Sequence, residues 1–525
     1  MTAASLNHVY RLVWNEVSQC FVAVSEHTRG CGKRSRRGAV AAVVLSLGAL
    51  TSAHAQQAPP ANTLPTQGQI VGGQGQIQSG PQQTTIRQDS SRLLINWGSF
   101  NIGADARVQF VQPGRDSVAL NRVTGGGVST ILGQLSGNGQ VWLLNPAGIV
   151  FGHSAQVDVG GLVASTLSLS DADFLAGRHQ FSGATSGRVE NHGRLTADGG
   201  YIALLGTQVH NTGTIQTPQG HTALAAGNGI TLSLGADDLI GVRVDQAAVN
   251  ALVQHSGSIL ADGGVVTLSA RGAQALMNEV INTSGVIEAR GLSAHGGRIV
   301  LDGGPEEGMV RVSGRLDASA AQGVGGDIAI TGRHIRLEGD GTVLNASGRD
   351  GGGQIHVGGG YQGRDARYAN ATTVDVAAGV QAEARATGVG DGGQVVFWSD
   401  DRTRFAGQID IRGGDQGGNG GLAEVSGLKH LSYQGRTDAT AAQGRTGDLL
   451  LDPATISIQV GSATGDISGD AVTVADLEAQ NANVLLQATG NITFGDLSLN
   501  GGDGRLSMAN NVSLRVEAGT NGSGS

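Results

Sequence analysis

From Val189 onward the chain repeats itself, and this self-similarity restricts the available folds more than any other feature. Val189–Gln208 reads VENHGRLTADGGYIALLGTQ, and Val209–Asn228 reads VHNTGTIQTPQGHTALAAGN, an offset of 20 residues. Val253–Gly272 reads VQHSGSILADGGVVTLSARG, and looser copies begin at Val280, Val310 and Val374. Each unit is a short strand, a turn at N/S-x-G, a second strand, a D-G-G-like turn and a third strand. Period-2 alternation marks the strands, as in GITLSL over Gly229–Leu234. Strands this short are unstable alone. Stacked coils let each N–H and C=O pair with the coil above and below, about 4.8 Å away, while apolar residues form an inner ladder.

The predicted fold is therefore all-β: a right-handed parallel β-helix, a three-sided solenoid of roughly 12 to 16 coils and ~60–75 Å in length at the inter-strand spacing. Its hand follows from the handedness of parallel crossovers. Glycine is expected where a corner needs positive φ, and corner Asn and Asp where they can bond local backbone. A stack of antiparallel sandwiches is the rival. The missing two-residue hairpin signals and the fixed period weigh against it. Composition agrees with thin, tightly turned layers: 88 of 525 residues are Gly, only 9 are Pro, and aromatics make up 3%. No G-X-Y period exists, which removes collagen.

The first 55 residues stand apart. Gly38–Ala53 reads GAVAAVVLSLGALTSA, follows Lys33, Arg34, Arg36 and Arg37, and leads into Ala53-His54-Ala55. That is the order of a cleaved export signal, with cleavage expected after Ala55 and the mature chain starting at Gln56. The apolar run is short for a bilayer, which needs about 20 residues. Both cysteines, Cys20 and Cys31, fall in this leader. A cysteine-free mature chain suits passage through a narrow pore, and equally a repeat fold that needs no staples. Without the leader, 28 basic residues face 41 acidic ones, which argues against a nucleic-acid partner.

Residues Gln69 to about Gly183 are less repetitive and carry larger side chains. Leu93, Ile95 and Trp97 alternate in SRLLINWGSFNIG, and SVALNRVTG contains Asn121. In GQVWLLNPAGIVFG, Asn145-Pro146-Ala147-Gly148 has Asn, Pro and Gly at the first, second and fourth places of a type I turn. A coil stack exposes unpaired edges at its open end, so this module is expected to be the cap.

Two resemblances follow from these residues. Leu6–Gly30 resembles the extended signal-peptide region of large exported proteins of Gram-negative bacteria, matching at Asn7, Tyr10, Arg11, Val13, Trp14 and Asn15; in that family the chain starts near Leu6. The order INW-x-x-FNIG, VQF, NRVTGG, GQVWLLNPAGIVFG and GLVASTLSLSDADF resembles the haemagglutination-activity or secretion domain of two-partner secretion exoproteins. It is nearest to the high-molecular-weight adhesins and more distant from filamentous haemagglutinin. The resemblance implies passage through the inner-membrane export machinery, then recognition by a cognate outer-membrane transporter, a β-barrel with periplasmic polypeptide-binding domains. Folding as a β-helix would follow outside, giving a secreted or cell-surface protein. The family's N-P-N-G-I motif falls on Asn145, Pro146, Ala147, Gly148 and Ile149, with Ala in the third place; the companion N-P-N-L is not found. Asn121 joins these as an expected recognition residue. A turn alone would also account for Asn145–Gly148, so both readings stay open.

The expected organisation is a signal peptide over 1–55, a secretion domain with the first coils over 56–305, repeat coils over 306–452, and a further β-rich segment over 453–525 that reads as truncated. GDLLLDP, Gly447–Pro453, suggests the last boundary. No nucleophile–base constellation, P-loop or metal-ligand spacing is found, so neither enzyme activity, metal nor cofactor is expected. Asp198, Asp262 and Asp391 in D-G-G turns read as corners, not as a calcium repeat. Sequons occur at Asn282, Asn345, Asn370 and Asn491. The expected role is an adhesin or haemagglutinin-like exoprotein meeting a host-surface glycan or protein. The alternative is an exoprotein that binds a haem carrier.

Overall fold

The computed structural model describes residues 58–519, apart from 236–238, 274–278, 293–295, 306–307, 461–470 and 499–503, together with two strands in the leader. Those two, Tyr10–Asn15 and Cys20–Ser25, pair antiparallel with Tyr10 opposite Ser25 and form a unit of their own. The expected cleavage residues Ala53, Ala55 and Gln56, the apolar run before them and the last residues of the chain lie outside the described residues.

The second unit is a parallel β-helix. One coil runs through Val189–Asn191, Arg194–Thr196 and Tyr201–Gly206; the next through Gln208–Asn211, Thr214–Gln216 and His221–Ala226. Each strand lies parallel on its counterpart, Val189 on Val209, Leu195 on Ile215, and Ile202 on Thr222. The first face continues through Val253, Ile281, Val310, Ile335 and Val374. The fourth copy is thus in register from Ile281, not Val280, which sits at a bulge between Glu279 and Ile281.

Inward-pointing residues from the three faces build one core that runs the length of the stack, from Ile86 to Ala488. It is made mainly of Val, Ile, Leu and Ala because a narrow coil leaves room for little else. Larger rings fill it locally, as where Phe405 stacks on Tyr433 at 5.7 Å. Part of the first-face column is polar inside. The amide of Asn191 donates to Asn211 Oδ1 (2.8 Å), and Asn211 Nδ2 meets His255 Nδ1 (3.0 Å). These are the first residues of the N/S-x-G turns. Only Asn191 also accepts from its own turn, from Gly193 N–H. Burial pushes the His255 imidazole down to about 4.

The glycines of these turns have a reason that sequence reading missed. Gly199 and Gly263 do adopt positive φ, 58° and 74°. The second glycine of D-G-G does not need it. A Cβ on Gly220 would stand 1.9 Å from Gly200 O of the coil below, and one on Gly264 would stand 2.0 Å from Gly220 O. The N/S-x-G column repeats the pattern, with Gly257 over Gly213 O at 2.1 Å. Close backbone approach at two corners, rather than corner dihedrals, explains much of the glycine.

Two features depart from a plain stack. First, the coils begin before the visible repeats: Ile149–Phe151 and Ser129–Ile131 occupy the same column as Val189–Asn191. Upstream, Gln69–Gly72 and Gly75–Ser79 pair antiparallel with Arg92–Trp97 and Gln83–Gln88, which closes the open end. Second, Gly229–Leu234 is not a coil strand. It lies in a separate antiparallel sheet with Gln180–Ser182 and Leu239–Gln246. Its Ile230 and Leu232 join a second core on the outside of the third face. That face is therefore apolar on both sides; all six residues of Tyr201–Gly206 are buried.

At the other end the ladder runs on through GDLLLDP. Asp448–Leu451 pairs with Leu422–Gly427 on one side and Asn483–Gln487 on the other, and Leu514–Glu517 follows.

Candidate secretion site

The turn Asn145–Gly148 joins the third-face strand ending at Leu144 to the first-face strand Ile149–Phe151. Gly148 N–H donates to Asn145 O at 3.0 Å, which closes the turn, and Gly148 takes φ 127°. The Asn145 side chain is 1% exposed and fully engaged. Its amide donates to Gly127 O (2.8 Å) and Ser129 Oγ (2.9 Å), and its Oδ1 accepts from Ala147 N–H (3.0 Å). One side chain thus fixes the turn and ties it to the preceding coil. Ile149 is buried in the core, and Ile149 N–H donates to Arg188 O of the next coil. Only Pro146 and, partly, Ala147 reach the surface.

Asn121 lies two coils into the cap and points inward, with no exposure. Its Oδ1 accepts from Trp97 Nε1 (3.0 Å), while its Nδ2 is within reach of Ala119 O and Trp142 O. It pins Trp97, whose ring meets Phe100 edge-on at 5.5 Å. The structure therefore places Asn121 and Asn145 in separate coils, both as internal ties.

Residues not singled out from sequence complete the site. Trp142 points outward from the third face, between Phe174, His179 and Phe181. Its Nε1 donates to Tyr201 OH (2.9 Å), which donates in turn to Gln140 Oε1 (2.6 Å). The covering segment includes the helix Asp171–Leu175, capped by Ser170 accepting from Asp173 N–H. Arg122 holds it through Leu169 O and an ion pair with Asp171 at 2.6 Å. Unbroken apolar runs such as VWLL and GLVAS, where alternation was due, are the signal for a face buried on both sides. Among the described residues no three His, Cys, Asp or Glu side chains group as metal ligands.

The result is a capped β-helix with an outer antiparallel clamp on one face. Residues 56–317 match the TPS secretion domain, and residues 7–55 match the Extended Signal Peptide of Type V secretion system. The chain belongs to the two-partner secretion exoproteins. It is similar to the HMW1 secretion domain from Haemophilus influenzae, with a TM-score of 0.65 and 29% identity, over 74% of this chain and 100% of that one. It is 33% identical over 267 residues to a heme/hemopexin-binding protein of Haemophilus influenzae, covering 49% of this chain and 29% of that relative. A second Haemophilus influenzae protein of the same name is 32% identical over 241 residues, 41% of this chain and 26% of its own length. The alignments thus span less than a third of these curated relatives. The exoprotein is secreted through the periplasm and a cognate outer-membrane transporter.

Proposed function

We propose that this exoprotein is an adhesin or haemagglutinin-like surface protein with a non-enzymatic role. Its N-terminal domain serves export, and its coils present a broad face to a host glycan or protein. The supporting observation is that one ladder joins the two: stacking continues beyond residue 317, where the secretion-domain match ends, to Leu514–Glu517. A long rod with ordered rows of side chains suits distributed binding more than a single pocket.

The proposed recognition segment for the transporter is Asn145, Pro146, Gly148 and Ile149, with Asn121. In the fold Asn121, Asn145 and Ile149 are buried, so they would be read while the chain is still extended. A second reading, binding of a host haem carrier, draws support from the names of the two curated relatives. Purified exoprotein is assayed on host cells and in pull-downs with haem carriers. Saturable cell binding without carrier capture is expected; carrier capture without cell binding would favour the second reading.

A further inference from the structure

The longest outward excursion downstream of the secretion-domain match, among the described residues, leaves the third face after Gln354–Val357 and returns at Ala371–Val376. It covers a column of outward-pointing side chains: Ala329, His356, Val396, Glu424 and Leu450, stacked in register. All five are buried, and all but His356 and Glu424 are apolar. Glu424 has no exposure. Its Oε2 accepts from Gln362 N–H of the excursion (2.8 Å), and the Ser426 hydroxyl of its own strand also bonds the carboxyl. A carboxyl buried without exposure in a largely apolar row costs stability when it ionises there.

The cover leaves the rod at two glycines. Gly358 and Gly359 take φ of 76° and 155° at its start, and Ala371 N–H donates to Gly358 O (2.7 Å) at its end. Between these points few ties reach the rod. Tyr368 stacks on His356 at 4.4 Å, and Asn370 donates to Asp400 Oδ1 (2.9 Å). Gly363 lies against the Trp398 indole so closely that a Cβ would stand 2.4 Å from it. Gln362 holds a left-handed φ of 53°, uncommon for a residue with a side chain. It also donates to Gln487 Oε1 (3.3 Å), which is itself held by Glu517.

We propose that residues 358–371 form a proton-controlled strap, closed over Glu424 while its carboxyl carries a proton and released as that carboxyl ionises. The charged and titratable groups facing Glu424 are Tyr361 and Arg364 on the strap and Asp452 on the following coil. Asp448 lies beyond Tyr361, and His356 two rungs along the column. Arg364 is the one cation among them. Burial raises Glu424 to about 7 and Asp452 to about 6. In the open state Glu424 returns towards the ordinary value near 4.5. Glu424 therefore favours closure fully below that value, a contribution lost as pH rises through about 7, while His356, buried beneath Tyr368 and lowered to about 4, works the other way below pH 6.5. The Glu424 span corresponds to a change of about 300-fold in the open population, at tenfold per pH unit.

The test is hydrogen exchange of the peptide covering residues 358–371 in the secreted chain carrying His356→Gln, which removes the opposing titration, corrected for intrinsic rate, from pH 4.5 to 8.5. Protection is expected to fall about 100-fold or more by pH 7.5 and then level off. Asp452→Asn removes the second carboxyl and should keep a fall of about 100-fold; adding Glu424→Gln should flatten it. Protection that changes less than threefold in the His356→Gln chain, or a full fall once Asp452→Asn and Glu424→Gln are both added, would overturn the proposal.

Discussion

Asn145→Ala separates the two readings of the N-P-A-G turn most cleanly. The substitution removes three hydrogen bonds, to Gly127 O, to Ser129 Oγ and from Ala147 N–H. The site is closed to water at 1% exposure, so water cannot replace them fully. Each buried group left unpaired costs roughly 1–3 kcal/mol, and Ser129 Oγ can rotate towards another partner, so a loss of about 3 kcal/mol is expected. Pro146 is exposed, and Pro146→Ala should cost less than about 1 kcal/mol, mostly through chain entropy. The assay is denaturant unfolding of the purified exoprotein followed by tryptophan emission. Trp97 and Trp142 both report on this end of the rod. Coincident midpoints for Asn145→Ala and the wild type would refute the hydrogen-bond reasoning. Secreted yield is the second readout: if the transporter reads the extended motif, Pro146→Ala lowers yield although the fold tolerates it.

Three further outcomes are expected. Trp142→Ala empties the space between rod and clamp and should cost about 3–5 kcal/mol, seen as early proteolysis of residues 166–183; equal protease resistance would contradict it. Gly220→Ala forces a Cβ onto Gly200 O, which cannot rotate away, and should lower stability by at least 1–3 kcal/mol by calorimetry, whereas an unchanged melting profile would count against the glycine-column account. His255 is held neutral in the fold, at about 4 against 6.5 in the unfolded chain. Its contribution is complete above pH 6.5 and is lost as pH falls towards 4, a span of about 3 kcal/mol. His255→Asn extends the asparagine ladder and should blunt this acid sensitivity in urea titrations at pH 4 and 7. His356, also lowered to about 4 by burial, retains a share.

The solenoid was legible because its repeats carry their register in plain residues: Val189, Val209 and Val253 begin the copies and stack on one another. The upstream coils were not, because Ile149–Phe151 is followed by a segment that leaves the rod at residues 166–188, which breaks the period without breaking the stack. Gly229–Leu234 was misread for a related reason. Alternation reports that one side of a strand is buried, not which core buries it. The turn at Asn145 could be read from residue types alone, yet the inward roles of Asn121 and Asn145 could not. Both depend on partners 16 to 24 residues away, in neighbouring coils. The strap over Glu424 left no sequence signal beyond a coil of unusual length.

Export by a dedicated partner is the central claim, and it is tested by expressing the full chain in cells with and without the gene for its cognate transporter. Intact exoprotein should reach the medium or cell surface only when the transporter is present, and its absence should leave chain degraded or trapped in the periplasm. Equal surface display in both strains would contradict the account.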